Sequence, residues 1–225
     1  MSFIQFARAH GVEIDPARLY PSEKIKRCGT VEKPRSRNGA YFWDGMRGWV
    51  FNWQGQAQVQ WFNDPAAKPW TEAEKAAWKA QRQAQRIRQE QGYQRAAQQA
   101  HELLRTATPG THSYLHSKGF PQAQGLIAQD GALLIPMRHH QTNALQGVQM
   151  IRWLEGERRH EKKMQPYGMK AAGAVHRMGA NNTFETCLVE GYATGLSVLE
   201  ALRGMGVQAV VLVCFSAHNL TLVAQ

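Results

Sequence analysis

The chain has 225 residues, 43% of them hydrophobic, enough to bury one large core or two small ones, which excludes a chain disordered throughout. Its longest nearly unbroken apolar stretch, Val207 to Phe215, is interrupted by Gln208 and falls far short of the roughly 20 residues of a membrane span, and the amino terminus has no secretory pattern. The 27 Lys and Arg exceed the 17 Asp and Glu by 10, so a polyanionic partner is expected, nucleic acid before an anionic membrane.

Three cysteines, Cys28, Cys187 and Cys214, lie far apart with no C-x-x-C pair. That spacing argues against a disulfide framework and against a cysteine-rich zinc site, so no zinc is expected and a reducing cytoplasm fits best.

Residues 1–70 read as a small α+β module rich in aromatic side chains. Ser2 can cap a short helix that Gly11 stops, and Asp15-Pro16 opens a second short helix. Lys24, Lys26, Arg27, Lys33, Arg35 and Arg37 form a basic stretch. Three runs then have strand character: Tyr41 to Trp43, Trp49 to Trp53, and Ala57 to Trp61, separated by Asp44-Gly45 and Gln54-Gly55. This predicts an antiparallel meander with a strongly aromatic face. Such a face is ordinarily the core of a small sheet, but beside basic residues it can also stack unpaired bases. Arg35 and Arg37 are the candidate DNA contacts here.

Residues 71–108 change to Gln, Ala, Arg and Glu. Thr71 with Glu74 is a capping box, and no Pro appears before Pro109, so one helix of about thirty-five residues is expected, with Gly92 its weak point. Lys75, Lys79, Arg82 and Arg86 share one face of it, and Lys79, Arg82 and Arg86 are candidate phosphate contacts; a soluble spacer would have the same pattern.

Residues 109–183 become αβ-like. Tyr114 to Gly119 reads as a helical turn, Leu133 to Pro136 and Gly147 to Trp153 as strands, and a basic segment follows with Arg158, Arg159, Lys162, Lys163 and Lys170. These five can neutralise phosphates, although Glu155, Glu157 and Glu161 dilute them. Residues 184–225 carry the clearest pattern: strand Thr186 to Val189, Glu190-Gly191, helix Thr194 to Arg203, Gly204 as stop, and strand Ala209 to Phe215. This is a βαβ unit of the buried, parallel kind.

Glu190 sits where a strand ends and its helix begins, the edge at which open α/β sheets bind ligands, and a carboxylate there can hold Mg²⁺ together with substrate phosphates. An exposed acid stabilised by the positive end of the helix, by about 0.3–1 kcal/mol, would look the same. His101, His139 and His140 have no partner at ligand spacing, and no P-loop, Ser-His-Asp set or H-E-x-x-H is present.

Leu188-Val189-Glu190-Gly191-Tyr192-Ala193-Thr194-Gly195-Leu196-Ser197 resembles the first motif of the Toprim domain, the metal-binding fold shared by bacterial-type primases, topoisomerases and some nucleases. Upstream, Leu134 to Met137, Gly147 to Ile151, Lys162-Lys163-Met164, Gly173 and Met178-Gly179 are similar to the stretch that phage and plasmid primases carry before the Toprim glutamate. Arg27, Asn38 to Tyr41 and Gly48 to Asn52 resemble the start of that family. The fold this implies is an α/β primase-like core with an incomplete, Rossmann-like Toprim domain after the α+β module and long helix.

The function it implies is a DNA replication protein that binds single-stranded DNA and makes short RNA primers from nucleoside triphosphates. Mg²⁺, or Mn²⁺ in its place, would be held at Glu190, with Lys162 and Lys163 at the phosphates and Thr194 at the helix start. A helicase or another replication protein would be a partner. One departure matters: the family's second acidic motif, an Asp-x-Asp pair, is absent after Phe215-Ser216-Ala217-His218-Asn219-Leu220, and the only acid beyond Glu190 is Glu200. The resemblance therefore implies truncation before that motif. One glutamate cannot hold the two cations of primer synthesis. A non-catalytic DNA- or replisome-binding protein is the alternative, and a Toprim nuclease a third.

Overall fold

The computed structural model describes residues 1–55, 58–63, 71–180 and 183–225, apart from the side chains of Glu23 and Glu74. The proposed Thr71–Glu74 capping box thus involves a side chain outside the described residues, and Ala57 and Trp70 lie outside them too. The chain divides into two compact units, Met1–Trp78 and Lys79–Gln225. Both mix helix and sheet.

In the first unit, Ser2 and Gln5 form a reciprocal capping box at the start of α1 (Phe3–Ala9). Strands β1 (Val12–Glu13), β2 (Ser22–Thr30), β3 (Gly39–Trp43), β4 (Arg47–Asn52) and β5 (Gln60–Asn63) follow in sequence order as an antiparallel sheet. The expected helix at Asp15 is a single 3-10 turn, Pro16–Arg18, capped by the Asp15 carboxylate. Lys24, Lys26 and Arg27 of the basic stretch, read above only for its charge, lie in β2, and Lys33, Arg35 and Arg37 in the connection to β3. Phe3, Ala7, Val12, Ile14, Tyr41, Val50 and Phe62 form the core. Side chains alternate across a strand, so Val50 points inward while Trp49 and Phe51 stand on the other side. Gly48 is required where α1 crosses, because a Cβ there would lie 2.8 Å from the Phe3 ring.

A 34-residue helix, α2 (Glu72–Arg105), passes Gly92 unbroken. Every described side chain from Glu72 to Gln91 is exposed. Its last turns differ: Ala100, with Leu103 and Leu104, packs on Ala132, Leu134, Val148 and Met150.

The second unit is built on an eight-stranded sheet. Its main path runs β10-β9-β8-β11-β13-β12, formed by β8 (Leu133–His139), β9 (Leu145–Leu154), β10 (Arg159–Gln165), β11 (Ala174–Gly179), β12 (Thr186–Val189) and β13 (Val210–Val213). Two short strands, β6 (Thr108–Gly110) and β7 (Gly125–Ile127), pair beside β8. Residues 109–183 and 184–225 therefore share one sheet. β12 and β13 are parallel, and α4 (Tyr192–Gly204) connects them. β13 is buried along its length, but β12 is the edge strand and is half-exposed, unlike the fully buried pair that its apolar composition suggests.

Two layers cover this sheet. On one face, α3 (Ser113–Ser117) and α4 bring Tyr114, Leu115 and Tyr192 onto Leu133, Ile135, Met137, Ile151 and Val213. On the other, α2 covers β8 and β9, and α5 (Ala217–Val223) covers β13 through Leu220 and Val223. No described helix is long and apolar enough to cross a membrane.

Candidate functional site

Glu190 follows β12 directly, and Gly191 caps α4 in an extended conformation without a side-chain bond. The backbone holds this edge firmly: Cys214 N–H donates to the Val189 carbonyl at 2.7 Å, and Phe215 N–H to the Glu190 carbonyl at 2.9 Å. Phe215 adopts a left-handed φ of 67°, uncommon for an aromatic residue, and turns the chain into α5 while its ring enters the core beside Tyr114 and Tyr192. The Glu190 carboxylate is exposed and has no ion-pair partner among the described residues. Thr194, in the first turn of α4, is exposed as well.

A row of polar rings crosses the α3–α4 face of the sheet from α4 toward β10. The His176 Nδ1 lies 3.1 Å from the Pro136 carbonyl oxygen, so the neutral ring carries its proton there, and the ring meets Tyr192 edge-on at 5.5 Å. Burial holds the His176 pKa down at about 4. Burial, and then the nearby Tyr114, raises that of Tyr192. Tyr114 accepts a 2.9 Å hydrogen bond from Lys162 Nζ and stands 5.3 Å from the His160 ring. His160 also lies 3.0 Å from the Ser113 hydroxyl, and burial followed by the charges of Lys118 and Lys162 lowers its pKa. At neutral pH the neutral ring is favoured.

The two lysines of the proposed phosphate pair separate. Lys162 is opposite Ile151 on β9, on the α3–α4 face, whereas Lys163 is opposite Met150 on the α2 face and forms a 2.9 Å ion pair with Glu161. Strand alternation forces this for any two consecutive residues. In the sheet order β10 and β12 are at opposite ends with four strands between them, so Lys162 and Glu190 do not meet directly. Tyr114 and Tyr192 both pack in the core of the α3–α4 face.

The remaining sequence candidates are dispersed. Arg158 is exposed in a left-handed turn, Arg159 is ion-paired with Glu157, and Lys170 lies in the loop beyond β10, where its charge lowers the pKa of His139 after burial and His140. Lys79, Arg82 and Arg86 are exposed on α2; Arg35 and Arg37 are exposed between β2 and β3. Arg37 contributes through its backbone, accepting from the Arg27 guanidinium, which stacks over Trp53 at 3.8 Å.

The sequence reading passed over Tyr114, His160, His176 and Tyr192. Only the alternation of His160 with Lys162 hinted that two of them share a face. A second omission is a cleft of about 500 Å³ where β11 leaves β8 for β13, lined by Arg138, His139, His140, His176 and Arg177. Pro136 has no N–H to continue that pairing. Among the described residues no three His, Cys, Asp or Glu side chains gather as a metal site.

Comparison with protein-family models, with curated proteins and with solved structures finds no match to this chain.

Proposed function

We propose that the second unit is a primase-like domain of the Toprim type, acting in DNA replication on single-stranded DNA. The observation that carries the proposal is Glu190 at the carboxyl edge of a parallel β12–α4–β13 unit, immediately before the amino terminus of a 13-residue helix. Backbone N–H groups and the helix dipole favour phosphate there, and a carboxylate beside them suits a cation that arrives with phosphates. Glu190 fits one Mg²⁺, or Mn²⁺, as a single ligand among nucleotide oxygens. It does not fit a two-metal centre, which needs several carboxylates, so no two-metal step is derived. Lys162, fixed by Tyr114, is the second element and would meet the strand or nucleotide on the α3–α4 face.

The lack of a carboxylate cluster among the described residues favours a second reading, a non-catalytic DNA- or replisome-binding protein using the same basic surface. Incorporation of labelled ribonucleotides on a single-stranded template with Mg²⁺ separates the two. Template-dependent product, abolished by Glu190→Gln, is expected of the primase. DNA binding without product supports the second reading, and absence of both overturns the nucleic-acid assignment.

A further inference from the structure

The sheet of the first unit has two aromatic faces, of which the core uses only one. Cross-strand register aligns Phe42 with Trp49 and Trp49 with Trp61, and alternation puts all three on the side away from Val50 and Phe62. Phe51, opposite Ala40 on that side, meets Trp53 edge-on at 4.5 Å. Trp61 is 70% exposed and Trp53 48%. No described helix or cluster covers this row, in which half-buried Trp49 lies beside exposed Trp61, and an apolar patch left open on a sheet marks a binding surface.

The charge on this face selects the occupant. The Arg27 guanidinium lies over the Trp53 ring at 3.8 Å and is fixed by hydrogen bonds to the Arg37 carbonyl. Register sets Arg47 on the same side as Trp49, and no Asp or Glu stands on this face in β3, β4 or β5. An apolar peptide would need no cations there, and a duplex would present no open base to the rings. Unpaired bases with phosphates alongside match both features.

We propose that the outer face of β3–β5 is a stacking platform for single-stranded nucleic acid, in which Trp49 and Trp61 carry successive bases and Arg27, held over Trp53, meets a phosphate or a base face. It is independent of Glu190 and needs neither metal nor nucleotide. Binding is sequence-tolerant, since every base has a π face.

The test is fluorescence anisotropy of a labelled oligo(dT) with the full chain in EDTA, where any failure is separate from a failure of primer synthesis. Trp61→Ala and Trp49→Ala are each expected to weaken binding about fivefold or more, and Trp61→Phe to restore most of it. Neither tryptophan change alters the salt dependence, whereas Arg27→Ala lowers its slope by about one. Unchanged affinity in Trp49→Ala/Trp61→Ala protein with wild-type circular dichroism overturns the proposal. So does an equal loss for duplex and single strand.

Discussion

Asn219 is buried, yet all of its amide bonds are made. Its Oδ1 accepts from the Gly173 N–H at 2.8 Å, and its Nδ2 donates to the Ala174 and Cys214 carbonyls at 2.6 and 2.9 Å, tying α5 to β11 and β13. Asn219→Ala leaves three buried backbone groups without partners and should cost about 2–4 kcal/mol, read as a lower urea midpoint at unchanged slope. His176 gives a pH dependence. Its pKa is about 4 in the folded chain against 6.5 when exposed, so between these values the unfolded chain binds the extra proton. Stability is then full above pH 6.5 and falls as pH drops toward 4, by on the order of 3 kcal/mol. Urea titrations at pH 7 and pH 4.5 should show that loss, and His176→Phe should reduce it.

In α4 the motif glycine has a packing role that the sequence pattern alone does not state. A Cβ on Gly195 would lie 2.5 Å from Met178 Cε and 2.9 Å from Val213 Cγ2, so the helix approaches the sheet more closely than any side chain permits. Gly195→Val should destabilise by about 1–3 kcal/mol, seen as a lower Tm, and should move Glu190 with the helix start. The elements with plain signals were legible in the sequence: the Ser2 cap, the long helix, and the 186–213 βαβ unit, although not that its first strand is a half-exposed edge. β10 was not. Its residues Arg159 to Gln165 carry charge on both faces, as an edge strand does, and resemble a solvated loop until β9 pairs with them.

The chain passes from one compact unit to the next within α2, whose described side chains are all exposed from Glu72 to Gln91. Limited trypsin digestion should cut first at Lys79, Arg82 or Arg86 and release two stable fragments; initial cleavage within either sheet would contradict this division. Composition and periodicity by themselves determined the helix length, the parallel unit and the position of Glu190 at its edge, because these follow from contacts local in sequence. Which cations stand with which rings was decided only by the tertiary structure. Strand pairing split Lys162 from Lys163, carried Lys162 to Tyr114 across 48 positions, and turned Trp49 and Trp61 outward together; such juxtapositions depend on register between distant segments, which no local pattern encodes.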